Sequence, residues 1–210
     1  MSSTSFTEGT RELAARDPVV ALLVDQYGPV RLQRRTPASG RFAALAEAIV
    51  YQQFAGAAAT AIHGRLVAKL GGEVTPERVL ASSIEELRSA GLSGAKARSL
   101  WDLSQKVGSG EVQLEKLGRV PDAEVIDHLV QVRGIGRWTA EMFLMFTLRR
   151  VDVWPVSDYG VRVGFAKAWK LDELPTPKEL DERGEPFRPF RSVVAWYCWR
   201  AAEQKSAVTM

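Results

Sequence analysis

Apolar positions recur at three- and four-residue spacing through most of the chain. That period predicts helices over residues 10–26, 41–54, 57–70, 75–80, 83–90, 94–107, 122–131, 136–149, 158–169 and 187–203. Gly71-Gly72, Gly91, Gly108, Gly110 and the Pro175 to Pro177 segment punctuate them. After Asp158, the residues Val161, Phe165 and Trp169 fall at i, i+4 and i+8, one apolar stripe with Asp158 placed as its N-cap. Thr75-Pro76 reads as another helix start, with proline at the first helical position. Ser82 stands three residues before Glu85, the spacing of a capping box. Val30 to Gln33 is the one weak strand candidate. The expected fold class is all-α.

A chain of 210 residues with 46% hydrophobic content can bury a sizeable core. Its net charge is only +3, so a uniformly basic coat is excluded and contact with a polyanion would need local clusters. The candidates are Arg31 with Arg34, Arg35 and Arg41; Arg133 with Arg137; and Arg188 with Arg191. Each reads equally well as solvated surface. Cys198 is the only cysteine, which excludes an intrachain disulfide and an iron–sulfur cluster held by four thiolates of this chain. His63 and His128 have no spaced carboxylate or cysteine partners, so no zinc site is expected. Met1 to Thr10 is polar rather than a leader, and Met142 to Leu148 is too short an apolar run to span a bilayer. The expectation is a soluble, intracellular protein.

One stretch, Leu129 to Phe165, concentrates the candidate chemistry. It reads as helix, glycine turn, helix, a loop containing Pro155, then Asp158 opening a further helix. The turn Val132-Arg133-Gly134-Ile135-Gly136 brings backbone N–H groups to a helix start, which suits a phosphate. Glycine on both sides of Ile135 permits positive φ, and Ile135 itself can turn inward to pin the two helices. A bare Gly-x-Gly also serves ordinary helical hairpins, so the turn alone leaves a purely structural reading open. An acid beside a phosphate grip points to chemistry on nucleic acid.

The string Gly134-Ile135-Gly136-Arg137-Trp138-Thr139-Ala140, followed by Asp158 within Trp154-Pro155-Val156-Ser157-Asp158-Tyr159-Gly160, resembles the helix-hairpin-helix (HhH-GPD) DNA glycosylase superfamily. The match is best to its 3-methyladenine DNA glycosylase II branch. Ala48-Ile49-Val50-Tyr51-Gln52-Gln53 resembles the family's helix and loop that carry a DNA-intercalating residue. Gly91-Leu92-Ser93-Gly94-Ala95-Lys96-Ala97 resembles the next connector, and Phe187-Arg188-Pro189-Phe190-Arg191-Ser192 to Tyr197-Cys198-Trp199-Arg200 the closing helix. The likeness covers roughly residues 40 to 203.

This resemblance implies a compact two-lobed helical bundle, a single unit over 1–210, with a DNA-binding cleft between the lobes. The approximate lobes are 41–120 and 1–40 plus 121–210. It implies Asp158 as the catalytic carboxylate, opposing the positive charge that builds on deoxyribose as the N-glycosidic bond breaks. It implies Trp138, Trp199, Tyr51 and Tyr159 as the base pocket, with Trp196 left to the core. Gln53 best matches the wedge, with Gln52 and Phe54 as further candidates. Gly134, Gly136, Arg133 and Thr139 would grip phosphate, and the carbonyls of Val130, Val132 and Ile135 would hold a structural Na+ or K+. No cofactor is implied for catalysis.

Bifunctional relatives carry a lysine where this chain has Trp138. Indole offers no amine for a Schiff base, so hydrolysis without strand cleavage is expected. Two departures bear on the pocket: Ser157 replaces the acid that many relatives place before the aspartate, and Met142 stands where the aromatic-rich branch has tyrosine. The N-terminal β-rich domain of longer relatives has no counterpart. The implied protein is a monomer that flips and excises alkylated purines from duplex DNA, cytoplasmic in a prokaryote and nuclear in a eukaryote. The alternatives are a non-catalytic DNA-binding module, and a bifunctional glycosylase and lyase for oxidised bases.

Overall fold

The computed structural model describes residues 5–32, 34–52 and 56–203. Helices fill it, and no strand occurs among the described residues, Val30 to Leu32 included. The chain divides into two compact units, residues 1–33 with 149–210 and residues 34–148. The hairpin therefore belongs to the central unit, whereas the sequence reading grouped 121–148 with the termini. Tertiary bonds explain the difference: the Arg133 amide donates to Asp102 Oδ2 at 2.7 Å, tying the turn to the central unit's long helix.

The terminal unit holds α1 (Phe6–Arg16), α2 (Pro18–Tyr27), α10 (Tyr159–Ala168), α11 (Pro177–Gly184) and α12 (Arg191–Glu203). One helix was expected over 10–26, but Asp17 and Pro18 split it. Asp17 is at once the C-cap of α1 and the N-cap of α2, where Pro18 takes the first helical position, a place that needs no N–H. Helix α11 was not expected; its capping box of Thr176 and Glu179 starts it directly at Pro177. Helix α12 is buried from Arg191 through Cys198, the pattern of a helix surrounded by its neighbours. Trp196 is in that core, as anticipated.

The closest contact in this unit is α10 against α12. A Cβ on Gly164 would lie 1.7 Å from the Cys198 carbonyl oxygen, so only glycine lets the two backbones approach this far. The expected stripe then packs: Val161 and Phe165 are buried, and Phe165 stacks on Trp169 at 4.2 Å between centroids.

The central unit holds α3 (Arg41–Tyr51), α4 (Ala57–Lys69), α5 (Pro76–Leu80), α6 (Ile84–Ser89), α7 (Gly94–Gly108), α8 (Asp122–Leu129) and α9 (Arg137–Met142). Thr75 and Pro76 start α5 as read, whereas the capping box of α6 is Ser83 with Glu86, one residue later than expected. Leu45, Ala46 and Ile49 of α3 and Ala97, Leu100 and Leu103 of α7 are fully buried and form the core of this unit. Helix α9 runs into a π turn, Phe143–Thr147, in which the Leu148 amide reaches the Phe143 carbonyl.

Two glycines make a direct comparison. Gly164→Ala must push a backbone carbonyl aside and should cost about 3 kcal/mol, lowering Tm by on the order of 10 °C. Gly64 lies exposed inside α4 with open space where a Cβ would go, so Gly64→Ala should hold or raise Tm slightly. Thermal unfolding followed by circular dichroism checks both; equal Tm values would contradict the close α10–α12 contact.

Candidate active site

Asp158 is the N-cap of α10, as its position before the apolar stripe predicted. Its Oδ1 accepts the Val161 amide at 2.8 Å and also the indole N–H of Trp199 at 3.0 Å. Two donors converging on one oxygen fix the carboxylate's orientation, and the side chain is only half-buried. The close α10–α12 contact makes this possible. A Cβ on Gly160 would meet Trp199 Cδ1 at 3.0 Å and Asp158 Oδ1 at 3.2 Å, so a glycine leaves room for the pair. The sequence reading gave Trp199 a role through its faces and missed the role of its edge.

The loop before Asp158 is strapped to the start of α12. Ser192 receives the Val153 amide at 2.8 Å, donates its hydroxyl to the Arg150 carbonyl at 2.9 Å, and donates its amide to the Val151 carbonyl at 3.0 Å. Arg191 forks onto the Asp152 carboxylate at 2.8 and 3.0 Å, and Arg188 joins the same carboxylate at 2.8 Å. Trp154, which follows, is buried and donates to the Leu180 carbonyl.

Arg188 and Arg191 therefore serve the loop rather than forming a polyanion patch. Arg41 is likewise buried, donating to the carbonyls of Leu114 and Glu115, and Arg137 pairs with Glu141 at 2.9 Å. Arg35 reaches the Gly118 carbonyl at 3.3 Å. Among the anticipated clusters, Arg41 and Arg191 are buried, whereas Arg31, Arg34, Arg35, Arg133, Arg137 and Arg188 stay exposed.

A helix, a glycine turn pinned by buried Ile135, and a second helix make the central unit a helix-hairpin-helix structure. The geometry redistributes the expected phosphate contacts. Gly134 has φ +76°, and its missing Cβ leaves space for Ser99, 2.3 Å from where that Cβ would be; this glycine answers to packing and turn shape. The amides of Val132, Arg133 and Ile135 bond to Leu129, Asp102 and Val132 respectively. Thr139 is buried and its hydroxyl accepts the Gln52 amide at 3.0 Å, so it is not presented to a phosphate. Gly136 is different: it caps α9, and a Cβ there would meet nothing within 4 Å. Gly136 thus leaves open space in front of the first turn of α9.

The remaining candidates separate. Tyr159 is exposed beside Asp158 and with Trp199 lines an open hollow of about 310 Å³, completed by Gly160, Val163, Ala202 and Glu203. Trp138 is 43% exposed on the first turn of α9. Tyr51 bonds through its hydroxyl to Thr60 and meets His63 edge-on. Gln52 turns its carboxamide onto the hairpin, which removes it from the wedge candidates. Gln53 and Phe54 lie outside the described residues. His128 bonds the Glu124 carbonyl within its own helix. No group of three or more His, Cys, Asp or Glu suited to a metal occurs among the described residues, and no helix there is long and apolar enough to cross a membrane.

The family described as HhH-GPD superfamily base excision DNA repair protein matches residues 46–189. DNA-3-methyladenine glycosylase 1 of Schizosaccharomyces pombe is 33% identical over 203 residues, covering 95% of this chain and 89% of its own. The solved structure of an S. pombe 3-methyladenine DNA glycosylase in complex with abasic DNA aligns with a TM-score of 0.84 at 32% identity, over 95% of this chain and 100% of the other. A Bacillus halodurans DNA-3-methyladenine glycosidase aligns at 0.83 with 33% identity, over 93% and 89%. The protein belongs to the HhH-GPD superfamily of base excision DNA repair proteins.

Cys198 is fully buried, and burial foremost, with the Asp158 charge adding to it, pushes its thiol well above the usual range. The thiolate is the reactive form. Iodoacetamide at pH 8 should leave the native protein unmodified and alkylate one site in guanidinium, as read by intact mass.

Proposed function

We propose that this protein is a monofunctional DNA glycosylase that excises alkylated purines such as 3-methyladenine and 7-methylguanine, leaving an abasic site. The observation that carries this reading is the Asp158 carboxylate held by the Val161 amide and the Trp199 indole. As the glycosidic bond lengthens, its electron pair leaves with the base and deoxyribose C1′ becomes cationic. A carboxylate at ~4 Å opposes that charge by ~1 kcal/mol in water and ~4 kcal/mol at an effective dielectric of 20. Because the charge exists only as the bond breaks, a carboxylate already oriented acts on the transition state. Water then adds to C1′ and loses its proton to the carboxylate or to solvent. A cationic methylpurine departs neutral and needs no acid to protonate it.

Trp138 presents an indole where a Schiff-base mechanism needs an amine, so strand cleavage is not part of the reaction. The Trp199 indole lines the hollow beside Asp158, and an indole face suits an electron-poor methylpurine, with stacking worth ~1–3 kcal/mol per base. Duplex DNA is the macromolecular partner, in keeping with the S. pombe relative's complex with abasic DNA. The open start of α9 at Gly136 suits a backbone phosphate and reads no sequence.

A Na+ or K+ at the carbonyls of Val130, Val132 and Ile135 fits the hairpin. The Val132 carbonyl accepts the Ile135 amide at 3.0 Å, and a carbonyl's second lone pair suits a hard cation. Such an ion would brace the turn and supply positive charge near a phosphate. The protein acts as a monomer, in the compartment that holds chromosomal DNA.

Two substitutions test the site on methylated duplex DNA, read as free methylpurine and alkali-labile sites. Asp158→Asn keeps a good N-cap but removes the charge, and should cost on the order of 1000-fold in single-turnover rate. Trp199→Phe keeps the ring but loses one donor, and should cost about tenfold. Equal release by wild type and Asp158→Asn would overturn the assignment. Strands nicked without alkali treatment would overturn the monofunctional reading.

A further inference from the structure

Lys96 is a buried charge that the chemistry above does not use. It sits in the first turn of α7, 7% exposed, and its ammonium donates to the carbonyls of Val50 and Gln52 at the end of α3. A cation there meets the negative end of the α3 dipole. Burial draws its pKa down, so the carbonyls hold a cation taken out of water.

Gln52 carries the connection onward. Its carboxamide nitrogen donates one N–H to the Gly134 carbonyl at 3.1 Å and the other to Thr139 Oγ1 at 3.0 Å, on opposite sides of the hairpin turn. Helix α7 also backs the turn directly, through Ser99 beneath Gly134 and Asp102 on the Arg133 amide. Within the central unit, α7 thus fixes both the end of α3 and the hairpin, and Gln52 joins those two to each other.

We propose that Lys96 and Gln52 are positioning residues that keep the end of α3 in register with the phosphate-gripping turn, so that a paired nucleotide can be forced out of the duplex. The proposal rests on the glycosylase reading. Extruding a paired base costs free energy, and a rigid frame behind the end of α3 and the hairpin limits what is lost to deformation of the protein. A compliant link would leave bond cleavage intact and weaken extrusion.

The deciding measurement is single-turnover excision by the full-length protein on two duplexes. One carries 7-methylguanine opposite cytosine; the other carries it opposite a tetrahydrofuran abasic analogue, where no pairing resists extrusion. Gln52→Met and Lys96→Met should each slow the paired substrate about 10- to 100-fold, the range for bonds to or near a charged group. On the unpaired substrate, both should stay within about threefold of wild type, and Asp158→Asn should fail on both. The half-buried Gln52 makes Gln52→Met the informative variant if Lys96→Met does not fold. Equal losses on the two duplexes, or no loss on either, would overturn the positioning role. Wild-type protein inactive on both duplexes would instead overturn the glycosylase reading.

Discussion

The contact between Gly164 and the Cys198 carbonyl is the constraint from which the candidate site follows. It brings α10 and α12 together with no side chain between their backbones. One turn toward the start of α10, Gly160 leaves the opening through which the Trp199 indole reaches the capping aspartate. A side chain at either glycine would separate the donor from the acceptor. The stability of the terminal unit and the geometry of its carboxylate therefore share one seam.

The central unit solves a different problem. Its hairpin turn has polar backbone groups that its neighbours must take up. Asp102 and Gln52 satisfy groups at the turn, the Arg133 amide and the Gly134 carbonyl with the Thr139 hydroxyl, while Lys96 satisfies carbonyls at the end of α3. What stays open is the start of α9, where glycine at the cap keeps solvent access. The π turn at the far end of that helix accommodates an extra residue per turn beside the buried Phe143 and Leu144.

Much of the fold was legible because helix periodicity and caps are local. Asp158 could be read as a cap from its own neighbours, and Ile135 as an inward residue from the glycines beside it. Helix α11 carries a readable signal, Thr176-Pro177-Lys178-Glu179, but Pro175 and Pro177 flanking one threonine read equally as loop punctuation. Lys96 could not be read: its acceptors are main-chain carbonyls 44 and 46 residues away, and a carbonyl leaves no mark in a sequence. The same holds for Thr139, Arg188 and Arg191, whose basic or polar character says nothing of the distant groups that take up their hydrogen bonds. Trp199 reads from the sequence as a pocket wall, but its bond to Asp158 does not show there, because which part of an indole faces a partner is set by helix packing alone.

Ser192 and Trp199 are seven residues apart, two turns along one face of α12, about 10 Å at 1.5 Å per residue. The first fastens the strand of chain leading into Asp158 and the second fastens Asp158 itself. Both ends of the loop that carries Asp158 are thus fastened to a single helix, which holds the acid in place when a nucleotide arrives. Any accommodation of lesions of different shape must come from the sugar and base seating themselves differently, not from the acid moving to meet them.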